Sequence, residues 1–149
     1  MGVLIEARQS SKRSNPFRPT KKQFWFWFSK INKEIFDNKV KKFRKVTFQK
    51  CRFMWAQSSS VQLWSNHNPK RYLYYVDLIM KDSYPSKRLF VEVLAHEMIH
   101  AYQYQFHDEM THGKTFWEWE EKFLKNNITL SEHIGVISKS GLNGPKTLA

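Results

Sequence analysis

The stretch Phe90-Val91-Glu92-Val93-Leu94-Ala95-His96-Glu97-Met98-Ile99-His100-Ala101-Tyr102-Gln103 decides the fold. Pro85 just ahead of it supplies a helix start, and Phe90, Leu94, Met98 and Ala101 recur along one helical side, so the spacing predicts a helix from Ser86 to about Phe106. Inside that helix, His96-Glu97-Met98-Ile99-His100 is the pattern HExxH. Residues four apart on a helix are separated by about 40° around its axis, so His96 and His100 project together and can clamp one ion. Glu97 falls on the flank of the same face, where it can reach an activated water without ligating the metal.

A catalytic zinc takes a third protein ligand and leaves one coordination position for water. The metzincin pattern demands Gly at position 103 and His at position 106; Gln103 and Phe106 stand there, which excludes that class. A gluzincin takes a glutamate from the following helix, and Glu118, Glu120 and Glu121 satisfy that spacing. His107 lies on or just past the HExxH helix and points away. His112, in Thr111-His112-Gly113-Lys114, lies in a connection where a chain reversal eased by Gly113 can bring it over the first two histidines. Spacing alone leaves the glutamates and His112 open.

Working outward, Thr20-Lys21-Lys22-Gln23 has the form of a capping box, and Phe24, Trp27, Phe28, Ile31 and Ile35 follow at helical spacing. A helix from about Lys21 to Asp37, closed by Asn38, is expected, with Phe24 to Phe28 serving a buried stripe more than a platform for stacked bases. From Phe43 to Met80 the texture is that of strands. Val46 and Phe48 alternate with Thr47 and Gln49, Cys51, Phe53 and Trp55 are placed on one face, and Tyr72, Tyr74, Val76, Leu78 and Met80 share another. Ser58-Ser59-Ser60 and Asn66-His67-Asn68-Pro69 are read as turns. A third helix, from about Lys114 to Asn126, buries Phe116, Trp119, Phe123 and Leu124. The result is an α+β, zincin-like fold: three helices on a small antiparallel sheet of three to four strands. Residues 1–19 form a basic arm, 20–127 the domain and 128–149 a tail.

The 149 residues carry 25 Lys plus Arg against 13 Asp plus Glu, a net charge of +12, and 41% apolar residues suit a globular domain. Residues 1–95 hold +14 and residues 96–149 hold −2. The densest basic stretch, Lys39, Lys41, Lys42, Arg44, Lys45, Lys50 and Arg52, contains no acid; it is either a solvated face or a contact for nucleic acid. Cys51 is the single cysteine, which excludes a disulfide framework and a Cys-rich zinc ribbon within these residues. No apolar run is long enough for a membrane helix, and the N-terminus lacks the form of a secretory signal, so a cytoplasmic or nucleoid-side location is the expectation.

The order of a first helix with Phe28-Ser29-Lys30-Ile31-Asn32-Lys33-Glu34-Ile35-Phe36, a strand region, the helix with His96-Glu97-Met98-Ile99-His100-Ala101-Tyr102, and then His112-Gly113-Lys114-Thr115-Phe116 resembles the SprT-like metalloprotease family over about residues 21 to 126. HExxH followed after a short loop by His-Gly-x-x-Phe is far more specific than HExxH alone. The resemblance implies His112 as the third ligand beside His96 and His100, one Zn²⁺ as cofactor and Glu97 as the catalytic base. It further implies protein substrates attached to or crosslinked with DNA, and the basic half is compatible with that. Tyr84, Tyr102 and Tyr104 are candidates to stabilise the developing oxyanion. The chain departs from the many members that append a Cys-rich ribbon, so DNA engagement would fall to the domain's own basic half or to a partner. A competing reading is a non-catalytic, zinc-stabilised module of a larger assembly such as a viral particle, its arm and tail wrapping neighbours.

Overall fold

Thr20 starts the first helix through reciprocal bonds: the Gln23 amide donates to Thr20 Oγ1 (3.0 Å) and the Thr20 amide donates to Gln23 Oε1 (2.9 Å). The structure is a computed structural model that describes residues 15–132; most of the expected arm and tail, residues 1–14 and 133–149, lies outside the described residues. Helix α1 spans Lys21–Phe36 and buries Phe24, Phe28, Ile31 and Ile35. Asp37 and Asn38, both left-handed, end it. Three strands follow, β1 (Lys45–Gln49), β2 (Ala56–Ser65) and β3 (Arg71–Lys81), then α2 (Lys87–His107), α3 (Lys114–Trp117) and α4 (Glu120–Lys125).

The α+β class stands, with three corrections to the strand and helix reading. First, the sheet is mixed. Its order is β1-β3-β2, with β2 antiparallel to β3 from Ala56↔Met80 to Ser65↔Arg71, and β1 parallel to β3 from Lys45↔Asp77 to Gln49↔Lys81. The cause lies in residues 50–55, which pass the end of the β3 position instead of forming a strand. Lys81 donates its backbone N–H to the Trp55 carbonyl (2.8 Å) and its Nζ to the Cys51 carbonyl (2.7 Å), and the Asp82 amide bonds the Gln49 carbonyl (3.0 Å). Within that passage Cys51 and Trp55 turn inward, while Phe53 is 49% exposed.

Second, Ser58-Ser59-Ser60 is not a turn but the middle of β2. Pairing with β3 along ten residues outweighs the turn preference of serine, and it is possible because β2 is a half-solvated edge strand with little apolar surface to bury. Third, the last helix is broken. The Trp119 amide bonds the Phe116 carbonyl (3.3 Å) in a tightened turn between α3 and α4, and the Trp119 ring is thereby packed against Phe36 (4.6 Å) and Tyr102 (4.9 Å). Leu124, expected in the stripe, is exposed.

Helix α2 lies at the centre. Ser86 caps it by accepting from the Leu89 amide (3.1 Å), leaving Pro85 outside the helix. From Phe90 to Ala101 nearly every side chain is buried, because the helix meets the sheet on one side and α1 and α3 on others. Packing continues beyond residues 20–127: Phe17 bridges Tyr84, and Ile128 and Leu130 enter the core. Among the described residues no helix is long and apolar enough to cross a membrane.

The loop from α1 into β1 is closed by one buried amide. Asn32 donates Nδ2 to the Val40 carbonyl and accepts from the Val40 amide, both at 3.0 Å. Replacing Asn32 by Leu leaves both groups of Val40 unmatched and is expected to remove about 2–3 kcal/mol of stability. Urea unfolding should show this as a lower midpoint at unchanged slope; an unmoved midpoint would contradict the role given to Asn32.

Candidate metal centre

Helix α2 presents His96 and His100 one turn apart, both buried, with their Nε2 atoms 3.2 Å from each other. Each ring is oriented from behind. His96 Nδ1 is 3.0 Å from the Ser131 carbonyl oxygen and His100 Nδ1 is 2.8 Å from Gln103 Oε1. A carbonyl oxygen only accepts, so both Nδ1 atoms carry the proton and both Nε2 atoms present lone pairs. Two acceptors facing each other at 3.2 Å repel unless a cation lies between them. For nitrogen ligands 2.0–2.1 Å from a tetrahedral ion such as zinc the ligand-to-ligand edge is about 3.3 Å, so this spacing is compatible with both nitrogens holding one such ion.

His112 lies beside these two. The ligating atoms of His96, His100 and His112 all lie within 4.8 Å of one another, and the His112 ring centroid is 5.4 Å from that of His96 and 5.0 Å from that of His100. Gly113 and the start of α3 turn the chain back so that this happens. Phe116, wholly buried on α3, then forms a common floor: its ring lies 5.1, 5.6 and 4.8 Å from His96, His100 and His112. Neither His107 nor any of Glu118, Glu120 and Glu121 belongs to the cluster; of the candidates that spacing left open, His112 is the one that lies with His96 and His100.

The loop carrying His112 is tied to α2 by Gln103, a buried amide that uses every hydrogen-bonding position. Oε1 accepts from His100 Nδ1 and from the Thr111 amide (3.2 Å), while Nε2 donates to the Thr111 carbonyl (3.0 Å) and to Thr115 Oγ1 (2.9 Å). Thr115 in turn donates to the Glu109 carboxylate. One side chain thus fixes the tautomer of His100 and the approach of the loop that carries His112.

Burial holds the proton affinity of both helical histidines down. For His96, well below the ordinary range, the neighbouring His100 and His112 add to the effect and the Ser131 carbonyl opposes it; for His100, the Gln103 bond opposes it. Both are therefore neutral and ready to ligate. Glu97 is buried too, and desolvation pushes its pKa up to about 7 against a hydrogen bond from Ser58 that lowers it. A carboxyl poised near neutrality can both take and return a proton.

An open cleft of about 450 Å³ leads to the cluster, lined by Ser58, Ser59, Ser60, His100, Met110 and His112. Its far wall is β2, through Ser58, Ser59 and Ser60. Tyr84 donates to the Trp55 carbonyl (2.8 Å) inside the core, and Tyr102 packs on Phe36 and Trp119, so neither faces the cleft. Tyr104 hydrogen-bonds Ser60, beside the cleft.

The basic stretch lies along β1 and its flanks, on the opposite sheet edge from β2. Arg44 is engaged with Asp77 (2.6 Å), Lys41 donates to the Tyr74 carbonyl (3.0 Å) and sits over Tyr75, and Lys42 and Arg52 sit over Trp25 and Phe53. Lys39, Lys45 and Lys50 are exposed.

Gln103, Phe116 and the Ser131 carbonyl were not named as site residues from sequence. Gln103 stood only as the residue that excludes a metzincin. Its position three after His100, on the same helical side, was the available signal. For a backbone carbonyl at residue 131 there is none.

The chain belongs to the SprT-like family, whose model matches residues 26–133. No curated protein and no solved structure matches it. Membership in that family agrees with a metal site at His96, His100 and His112.

Exchanging Gln103 for Leu is expected to weaken Zn²⁺ binding by roughly 10–100-fold, read by competition with a chromophoric chelator; unchanged affinity would show that His100 and the His112 loop hold themselves in place. In metal-free protein, Glu97 binds a proton more tightly folded than unfolded. That stabilisation is complete below about pH 4.5 and is lost as pH rises through about 7. The two histidines act in the opposite sense, since the unfolded chain protonates them more readily. Comparing E97Q with wild type cancels their effect: the stability difference should move in favour of E97Q by about 3 kcal/mol between pH 4.5 and pH 8. A difference independent of pH would refute the account of Glu97.

Proposed function

We propose that the chain is a zinc-dependent metalloprotease that hydrolyses peptide bonds in proteins associated with, or crosslinked to, DNA. The observation that carries the proposal is the convergence of three imidazoles beside a cleft, two of them with lone pairs facing each other at 3.2 Å, together with a buried carboxyl one residue from the first ligand. The described residues offer three ligands where a closed structural zinc site takes four, which favours the enzyme over a non-catalytic module of an assembly. When bound, zinc supplies a Lewis acid that polarises the peptide carbonyl and makes a water acidic.

The remaining work falls to the chain. His96, His100 and His112 hold the ion, with Nδ1 of the first two fixed by Ser131 and Gln103. Glu97 takes the proton of the attacking water and passes it to the leaving amine, so its carboxyl is unchanged over the cycle. Ser58 keeps that carboxyl turned toward the sheet-side wall of the cleft. Beyond β2 no described strand pairs, and its free edge can take an extended substrate segment by backbone hydrogen bonds, holding it across the cleft. Such an edge accepts unfolded polypeptide regardless of sequence, which suits a protease acting on varied proteins held on DNA. The exposed Lys39, Lys45 and Lys50, with the +14 carried by residues 1–95, favour a polyanion nearby.

With zinc and a protein substrate bound to DNA at low salt, wild type should cleave, and E97Q should retain one zinc while losing at least about a hundredfold in rate, the scale of a lost general base. Cleavage should decline as salt releases the substrate's DNA from the enzyme. Equal cleavage by E97Q would end the protease proposal, and cleavage indifferent to DNA and salt would end its DNA component.

A further inference from the structure

We infer that the tip of the β2–β3 hairpin is an exosite that takes a large apolar side chain of the polypeptide substrate, some distance from the bond to be cleaved. This rests on the protease reading above and names which substrates it favours. The even-numbered residues of β2 share one face of the sheet. Ser58 bonds Glu97 and Ser60 bonds Tyr104, both on α2, so this is the face turned toward the metal-bearing helix. The next positions on that face are Gln62 and Trp64, opposite Tyr74 and Tyr72 of β3.

Tyr74 packs on Tyr104 (5.5 Å), and Gln62 Nε2 donates to the Tyr74 hydroxyl (3.3 Å). Trp64 and Tyr72 form a cross-strand pair at 4.9 Å and remain 50% and 51% exposed. The Trp64 indole N–H is held by Asn66 Oδ1 (2.8 Å), which fixes its ring. An aromatic row therefore runs from beside the cleft to the hairpin tip, on the same face as the cleft and along a strand edge that has no backbone partner among the described residues. Rings of this size, half exposed at the hairpin tip, bury nothing in the core, and their fixed pairing suits them to a partner.

Register sets the distance. Ser58 to Trp64 is six residues, about 20 Å of antiparallel strand. A substrate strand paired along the β2 edge, with its cleaved bond in the cleft, reaches Trp64 with residues about four to six positions away. Alternate substrate side chains fall on the aromatic face. There is no Asp or Glu between Asp37 and Asp77, and Lys70 and Arg71 border the tip, so an acidic residue beside the apolar one is favoured.

The test uses E97Q loaded with zinc and fluorescent peptides of two lengths, the longer carrying a Trp at each position in turn from two to eight residues on either side of the bond that wild type cleaves. Anisotropy should show tightest binding with the Trp four to six residues away on one flank, and a further W64S/Y72S replacement should weaken that binding roughly five- to tenfold while leaving the short peptide unchanged. L63S, on the opposite face of the tip, should leave both unchanged. In wild-type background the same pair of replacements should raise KM for the long peptide with kcat preserved. Equal loss for short and long peptides, or no positional optimum, overturns the exosite. A single-stranded oligonucleotide that loses affinity in W64S/Y72S while the long peptide does not would assign the tip to nucleic acid and overturn it as well. If wild type cleaves no peptide, the protease reading has failed; the long and short peptides, centred then on the same sequence, still report through binding whether the tip holds the apolar residue.

Discussion

Two neutral imidazole nitrogens with their lone pairs directed at each other, 3.2 Å apart on a buried turn of α2, impose the constraint around which the rest is arranged. Neither nitrogen can donate, because the opposite nitrogen of each ring is already committed to an acceptor. In a buried setting that contact is unfavourable until a cation resolves it. Protonating the rings would resolve it only by placing positive charge among other histidines away from water, which burial resists. The chain therefore holds an arrangement that favours a metal ion over a proton.

Maintaining it takes most of the molecule. Helix α2 is central and buried nearly all round from Phe90 to Ala101. The return of the chain through residues 128–131 brings the Ser131 carbonyl to His96, and Ile128 and Leu130 anchor that return in the core. Gln103 binds the ligand on the helix to the loop that delivers His112, and Phe116 lies under all three rings. On the other side the mixed sheet places a thinly covered edge strand, and not a core strand, against the site. That is why the cleft is open along β2 and why the serines of that strand, small and polar, can lie close to Glu97 and Tyr104.

What could be read from the sequence was whatever depends on local spacing. The capping box at Thr20, the extents of α1 and α2 and the pairing of His96 with His100 follow from periodicity within a few turns of helix. His112 became a ligand candidate through its Gly neighbour and through family resemblance, and the geometry places it with the other two. Features set by distant contacts were not legible. Cys51 to Trp55 has the alternation of a strand, yet its Cys51 and Trp55 carbonyls are taken up by Lys81 as the segment passes the end of β3, and β1 consequently runs parallel to β3. Ser58 to Ser60 has the composition of a turn, yet ten residues of pairing with β3 make it strand. Gln103 carries no label that distinguishes a pin from any polar residue, and the Ser131 carbonyl has no side chain to announce it.

The most direct test of the central claim is the X-ray absorption spectrum at the zinc edge of the protein loaded with one equivalent of Zn²⁺. Three imidazole nitrogens and one light-atom solvent ligand at about 2.0–2.1 Å are expected, with one imidazole lost when His112 is replaced by Ala. A first shell containing sulfur, only two imidazoles in wild type, or a spectrum unmoved by the loss of His112 would contradict it.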